Sequence, residues 1–259
     1  MKSLLKAVAL LALPILAGYL AWLGLSGSPQ DTATLAQRLN QELQGYHCAE
    51  LVANVGADGA VRVVGHLPRM EDLPRLRQSI ESLPGVKVAE FELAVRIWPH
   101  CETLALLKPW RERNLDGRHG LAIKPDTGHP LLFTEGERIV IRLQQADFDG
   151  YLYVDYYTAD GNVIHLYPNR REPDSGRQIR AGENFTVGER SPKGWEIGPP
   201  FGQELISAIA VATPLYPGER AEFEPAAAYL PQLRQLLEAR RDDPALAADF
   251  LFLETAPAP

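Results

Sequence analysis

The sequence predicts an α+β protein in three parts: an N-terminal transmembrane helix, a small αββαβ module, and a mainly-β sandwich with a C-terminal helix. Three observations predict it. An unbroken apolar run extends from Ala7 to Leu25. Between residues 31 and 100 the apolar period changes in the order helix, strand, strand, helix, strand. From Leu131 onward, short alternating runs are separated by Gly, Pro and Asp turns, with one Leu-rich helical stretch near the end. The chain has 259 residues, 46% of them apolar, with 21 Gly and 21 Pro, so it can bury a core and turn often. A formal net charge of -7 argues against non-specific nucleic-acid binding, which needs a basic face to release counterions.

Taken in order, residues 1–30 form the anchor and its linker. Lys2 and Lys6 precede the apolar run and Asp31 follows it. At about 1.5 Å per residue the run nearly crosses a hydrocarbon core of roughly 30 Å. It is longer than the apolar region of a cleaved signal, about 7–15 residues, and Pro29 sits badly for cleavage, which favours an uncleaved signal anchor. No Cys follows the run, which argues against a lipoprotein. The lysines place the N-terminus in the cytoplasm and the body outside, as in a bacterial inner-membrane protein with a periplasmic domain. Ser26 to Thr34 reads as a short polar linker.

The small module spans 31–100. Leu35, Leu39 and Leu43 share one helical face, and Gly45 stops that helix. Leu51, Ala53 and Val55 alternate, GADG turns the chain, and Val61, Val63 and Val64 continue in a second strand. Asp72 is a candidate N-cap for a helix with Leu76, Ile80 and Leu83 inward. Gly85 ends it, and Val88, Phe91, Leu93 and Val95 mark a third strand. Residues 101–128 read as a connector that begins with one or two helical turns and ends polar, made locally basic by Arg111, Arg113, Arg118 and Lys124, with contact to anionic headgroups as its functional alternative.

The sandwich spans 129–259. Ile139, Ile141 and Leu143 alternate with Arg138, Val140 and Arg142. The stretch YLYVDYYTADGNVIHLYPN follows. Ala159-Asp160-Gly161 fits a three-residue hairpin loop with Gly in the left-handed position. That register pairs Tyr157 with Val163, Asp155 with His165, and Tyr153 with Tyr167. It places Tyr151, Tyr153, Asp155, Tyr157, His165 and Tyr167 on one face, and Val154, Tyr156, Ile164 and Leu166 on the other. Two roles are open for the polar face. One is cross-strand packing, with Asp155 holding His165 and the rings covered by the C-terminal helix. The other is a rigid aromatic surface for a protein or glycan partner. Strands around Ile179 and Phe185, a long apolar strand from Leu205, a helix with Leu230, Leu233, Leu236 and Leu237, and a returning strand DFLFLET complete the part.

Nothing in the sequence signals catalysis. An Asp–His pair needs a nucleophile, and no G-x-S-x-G elbow, H-E-x-x-H, Walker loop or G-x-G-x-x-G motif occurs. No cofactor is expected. The two cysteines, Cys48 and Cys101, read as one disulfide in an oxidising compartment, closing a loop of about fifty residues worth on the order of 4 kcal/mol. Each follows a histidine, so His47-Cys48 and His100-Cys101 leave a four-ligand zinc site as an alternative, and two free thiols as a third. Neighbours on an extended chain point apart, which disfavours zinc.

Two resemblances add to this reading. GAVRVVGHL in the second strand, with LPGVKVAEFELAV leading into the third, resembles the BON domain of bacterial envelope proteins over roughly 31–99. The resemblance implies a small, non-catalytic α+β module associated with membranes, phospholipid or pore assemblies. With a right-handed crossover, strand three is expected antiparallel beside strand one, bringing the ends near Cys48 and Cys101 together. FTEGERIVIRLQ, DGYLYVDYYTADGNVIHLYPN and PPFGQELISAIAVATPL, in that order over 128–214, resemble a bacterial domain of unknown function. In other proteins this domain is attached to caspase-like proteases, Ser/Thr kinases and envelope lipoproteins. The likeness implies an accessory or recognition domain. It marks Pro199, Pro200, Gly202 and Glu204 as a loop of interest, with Gly202 serving backbone geometry and Glu204 capping or binding. The expected function is a non-enzymatic, inner-membrane-anchored periplasmic binding or assembly module. Its partners would be envelope proteins of a secretion accessory (type VI-like) or kinase-linked complex, with a lipid- or peptidoglycan-surface module as the alternative.

Overall fold

The computed structural model describes residues 29–125, 131–172, 174–190, 194–218 and 220–259. The expected anchor, Ala7–Leu25, lies outside the described residues. Among the described residues no helix is long and apolar enough to cross a membrane. The chain divides into two compact units, one ending at Arg96 and one spanning Ile97–Pro259.

The first unit follows the expected order: α1 (Pro29–Leu43), β1 (Glu50–Val55), β2 (Ala60–Leu67), α2 (Leu73–Glu81) and β3 (Val88–Val95). Helix α1 begins inside the stretch read as linker. Leu35, Leu39 and Leu43 bury one stripe of α1, and Leu76 and Ile80 one stripe of α2, against Val61, Val63 and Leu67 of β2. Asp72 stands at the N-cap of α2, but its carboxylate accepts from Arg69 Nε at 3.1 Å instead of capping the helix.

The strand order corrects one expectation. Strand β3 lies parallel beside β2, not antiparallel beside β1, so the sheet runs β1-β2-β3. Strand β2 carries the inward valines and takes the central place. A crossover through α2 then closes onto its free edge, where the Lys87 N–H donates to the Gly59 carbonyl at 3.0 Å. On the other edge β1 approaches closely at Gly65, where a Cβ would lie 1.9 Å from the Glu50 carbonyl oxygen. Val88, read as an inward residue of β3, faces out instead, 58% exposed, and Ala89 takes its place.

The second unit begins earlier than expected. The stretch read as a connector folds into α3 (His100–Arg113), which buries His100, Thr103, Leu106, Leu107 and Trp110. Pro109 inside α3 limits the sequence reading to one or two turns, but the 103, 106/107, 110 spacing puts these side chains on one face of a longer helix. Strands β4 (Ala122–Pro125), β5 (Leu132–Thr134), β6 (Arg138–Ile139) and β7 (Ile141–Gln144) follow, then β8 (Tyr151–Tyr157) and β9 (Asn162–Tyr167). After them come β10 (Asn184–Val187), β11 (Trp195–Glu196), β12 (Gln203–Val211), β13 (Phe223–Pro225), α4 (Ala226–Glu238) and β14 (Leu246–Ala256).

The frame is a six-stranded sheet in the order β13-β9-β8-β12-β14-β5, antiparallel except for the β14–β5 pair. On one face it packs against the small β10-β7-β4 sheet through Val154, Ile206 and Ala208 on one side and Ile141, Leu143 and Phe185 on the other. On the opposite face it packs under α3 and α4 through Tyr157, Leu205 and Ile209 against Leu107, Leu230 and Leu233. The expected sandwich therefore exists on one face only, and helices cover the other. Strand β14 returns beside β12 as the sequence indicated.

Both cysteines, Cys48 and Cys101, are disulfide-bonded. Their sulfurs are not thiolates, so the zinc alternative through the two His-Cys pairs falls away. Among the described residues no group of three or more His, Cys, Asp or Glu side chains is placed to hold a metal ion.

Candidate functional site: two clefts on one hairpin

The hairpin β8–β9 forms as the loop chemistry dictates. Thr158 and Asn162 close a loop of Ala159, Asp160 and Gly161, the last at φ 87°. Tyr157 faces Val163 and Asp155 faces His165, as expected. The third expected pair does not form. A β-bulge shifts the register, Val154 faces Tyr167, and Tyr153 does not. The extra residue brings both Leu166 and Tyr167 into the cluster packed against the small sheet, while Tyr167 still lines the cleft that holds Tyr151 and Tyr153.

The polar face of the hairpin is covered. Tyr153, Asp155, Tyr157 and His165 are all buried, and only Tyr151 stays half-exposed. Helix α4 lies over them. Tyr229, in its first turn, donates its hydroxyl to Asp155 Oδ2 at 2.5 Å and sets its ring edge-on to His165 at 4.8 Å. His165 sits between two carboxylates, with Nδ1 2.6 Å from Asp155 and Nε2 2.9 Å from Glu224. Glu224 in turn accepts from Arg220 Nε at 2.8 Å. Burial alone would lower the His165 pKa. The two carboxylates outweigh it and raise it, which stabilises the imidazolium, whose two N–H groups can donate to Asp155 and Glu224. The Tyr216 hydroxyl donates to Tyr229 at 3.1 Å, and burial together with Asp155 pushes both phenols up. This is a closed relay in which each charge has a partner. No motif in the sequence marks Glu224, Arg220 or Tyr229, although Arg220 and Glu224 stand four residues apart.

At the end of this face a cleft of about 220 Å³ opens beside the relay. Tyr151, Tyr153, Tyr216, Pro214, Pro217 and Arg177 line it. The Tyr153 hydroxyl accepts the Leu215 N–H at 2.9 Å, which fixes the 214–218 segment as its wall. Arg220 stacks over the Tyr216 ring at 4.5 Å and stiffens the same wall.

The other face of the hairpin carries the second cleft, about 200 Å³, between Tyr156, Trp195, Ile197, Pro199, Pro200 and Glu204. Pro199 and Pro200 are exposed at its rim, joined by a cis peptide. Gly202 has φ +150°, which side-chain-bearing residues rarely adopt, and both its N–H and its carbonyl bond Thr255. Its role is backbone geometry. Trp195 is held by its indole N–H, which donates to buried Glu172 at 2.9 Å. Glu204 is 2% exposed and accepts from the Tyr156 hydroxyl. Burial raises its pKa to about 7, Glu254 adds to the rise, and the Ala159 N–H and Thr255 hydroxyl pull against it.

Residues 132–214 match the family model described as Domain of unknown function (DUF4384). The match covers about a third of the chain and ends at Pro214, one residue before the last of the three ordered motifs ends. The DUF4384 segment supplies the whole hairpin, the cleft around Glu204 and strand β12. It does not include α4, β13 or β14, so Tyr229, Arg220 and Glu224, which complete the relay, come from beyond it. No curated protein matches the chain.

Proposed function

We propose that this protein is a non-enzymatic binding module of the bacterial envelope, anchored in the inner membrane by Ala7–Leu25 with its body in the periplasm, where it assembles with a protein partner. The observation that carries the binding role is the 220 Å³ cleft beside the hairpin. Its lining of tyrosine, proline and arginine on a rigid sheet has the composition that dominates binding energy at protein interfaces. The ionisable groups next to it are committed to one another, which suits a framework better than proton transfer. Support for the compartment comes from Lys2 and Lys6 before the apolar run and from the disulfide, which suits an oxidising environment. The BON-like pattern of the first unit and the DUF4384 segment of the second point to an accessory of a larger envelope complex, of the secretion or kinase-linked kind.

The test is in-cell crosslinking of the full chain beside Tyr151→Ala/Pro217→Ala, two changes at accessible positions of the cleft wall. The proposal expects a discrete crosslinked protein that the variant loses while its expression and melting temperature hold. An unchanged crosslink pattern removes this cleft from the interface. Salt-sensitive sedimentation with anionic vesicles, with no protein crosslink, would favour the lipid-surface alternative instead.

A further inference from the structure

The second cleft has a feature that the first lacks. Its buried carboxylate has no cationic partner among the described residues. Glu204 accepts from the Tyr156 hydroxyl on β8, and the charge that acts on it from β14 is another carboxylate, Glu254. Glu196 on β11 also lines the cleft, with Arg138 as its register partner on β6. Arg171 lies over the Trp195 ring at 4.9 Å but is spent on Glu222, with Nε–Oε2 at 2.9 Å. A buried carboxylate without a cation is costly, and proteins normally neutralise one or pair it. Here the other walls are aliphatic, aromatic and proline: Ile197, Trp195, Pro199 and Pro200. The space is about 200 Å³, less than the roughly 300–1,000 Å³ typical of pockets for drug-sized ligands, and suits a single side chain.

We infer that this cleft is a receptor for a lysine side chain from a protein partner, with the aliphatic stem against Ile197, Trp195 and the two prolines and the ammonium on Glu204. The geometry matches both ends of such a side chain. The apolar walls take the methylenes, and aromatic faces attract a cation. The charge-assisted bond to the ammonium supplies what the site lacks. The cleft lies on the opposite face of the hairpin from the Tyr151 cleft and is independent of the role proposed for that one.

The test uses n-butylammonium, the lysine side chain without its backbone, against n-butanol, which has the same stem and no charge. The full chain is observed by NMR at the Trp195 indole N–H. The expected result is a saturable shift with butylammonium in the range of about 1–50 mM, a range reasonable for a five-heavy-atom fragment. Butanol should bind at least about threefold more weakly. Because the ammonium binds the ionised carboxyl, affinity should fall about tenfold between pH 8 and pH 6, given a Glu204 pKa of about 7. Glu204→Gln should lose the preference for the ammonium. The inference is overturned by no saturable shift, by equal binding of butanol, by pH-independent binding, or by a folded Glu204→Gln that keeps the preference. Putrescine binding more tightly than butylammonium would also overturn it, since its second charge suits a free polyamine and not a protein-borne lysine. Should Glu204→Gln not fold, the alcohol comparison and the pH dependence on the native chain still decide.

Discussion

The two faces of one hairpin handle buried charge in opposite ways. On the face under α4, His165 is enclosed by Asp155 and Glu224, Glu224 by Arg220, and Asp155 by Tyr229. On the face toward the small sheet, Glu204 has hydroxyl and N–H donors but, among the described residues, no cation. Adjacent residues of β8, Asp155 and Tyr156, serve the two arrangements, because successive side chains of a strand point to opposite faces. The difference separates architecture from opportunity. A buried network with every charge matched holds elements together, here a hairpin, a helix and strand β13. A buried carboxyl left without its counter-charge costs stability and leaves room for a charge from outside.

The largest way to break this contrast is to cut the matched network. Asp155→Ala should cost about 3–5 kcal/mol, since it strips one carboxylate from a buried imidazolium and orphans the Tyr229 hydroxyl. Urea unfolding at pH 7 measures it, and a loss under about 1 kcal/mol would show the relay to be ornamental. Glu172→Ala comes next. It leaves the Gly188 N–H and the Trp195 indole N–H without their shared acceptor, at about 1–3 kcal/mol each at most. The same variant should broaden the Trp195 indole resonance, because that bond holds the wall of the Glu204 cleft. The smallest effect is expected at Tyr157. Its hydroxyl is fully buried without a hydrogen bond in the structure, so Tyr157→Phe should leave stability unchanged or raise it by up to about 1 kcal/mol. A clear loss would place a partner there, and Ser207 and Thr103 are the candidates, since both act to lower the Tyr157 pKa against its burial.

The pH dependence of the two faces runs by different routes. His165 has a raised folded pKa, so its contribution is fully present below about 6.5, its unfolded value, and fades as pH rises through the folded value. Glu204 is also raised, but as an acid. The folded state favours its protonated form, so stability is highest at low pH and declines between the unfolded value near 4.5 and the folded value near 7. Both trends fall with rising pH, and only substitution tells them apart.

The frame was largely legible because period decides face. The leucines of α1 and α4, the valines of β2 and the alternation of β8 named their burial directly. The hairpin loop was legible because Asp-Gly in a three-residue loop needs the left-handed glycine that Gly161 provides. What escaped has physical reasons. The bulge at Leu166 leaves no mark in an alternating run of apolar and polar residues, so the expected Tyr153–Tyr167 pair gives way to Val154–Tyr167. The full length of α3 is hidden by Pro109 and by the polar tail that follows it, where the sequence predicts only one or two turns. The covering of the tyrosines by α4 is one of the two roles the sequence leaves open for that face, and only the assembled structure decides for it, because the two segments lie about seventy residues apart. The placement of β3 beside β2 turned on which edge the crossover chose, and the apolar pattern is the same for both. Glu204 was visible as part of PPFGQE, but its missing counter-charge is a property of the assembled cleft alone.

The measurement that bears most directly on the contrast between the faces is urea unfolding of the native chain and Glu204→Gln from pH 5 to pH 9. If Glu204 is the uncompensated charge, the variant should gain on the native chain as pH rises. It should end more stable by up to about 3 kcal/mol at pH 9, the equivalent of a pKa moved from 4.5 to about 7. Parallel curves across that range would mean that Glu204 is ionised and satisfied inside the protein, and the distinction between the two faces would not stand.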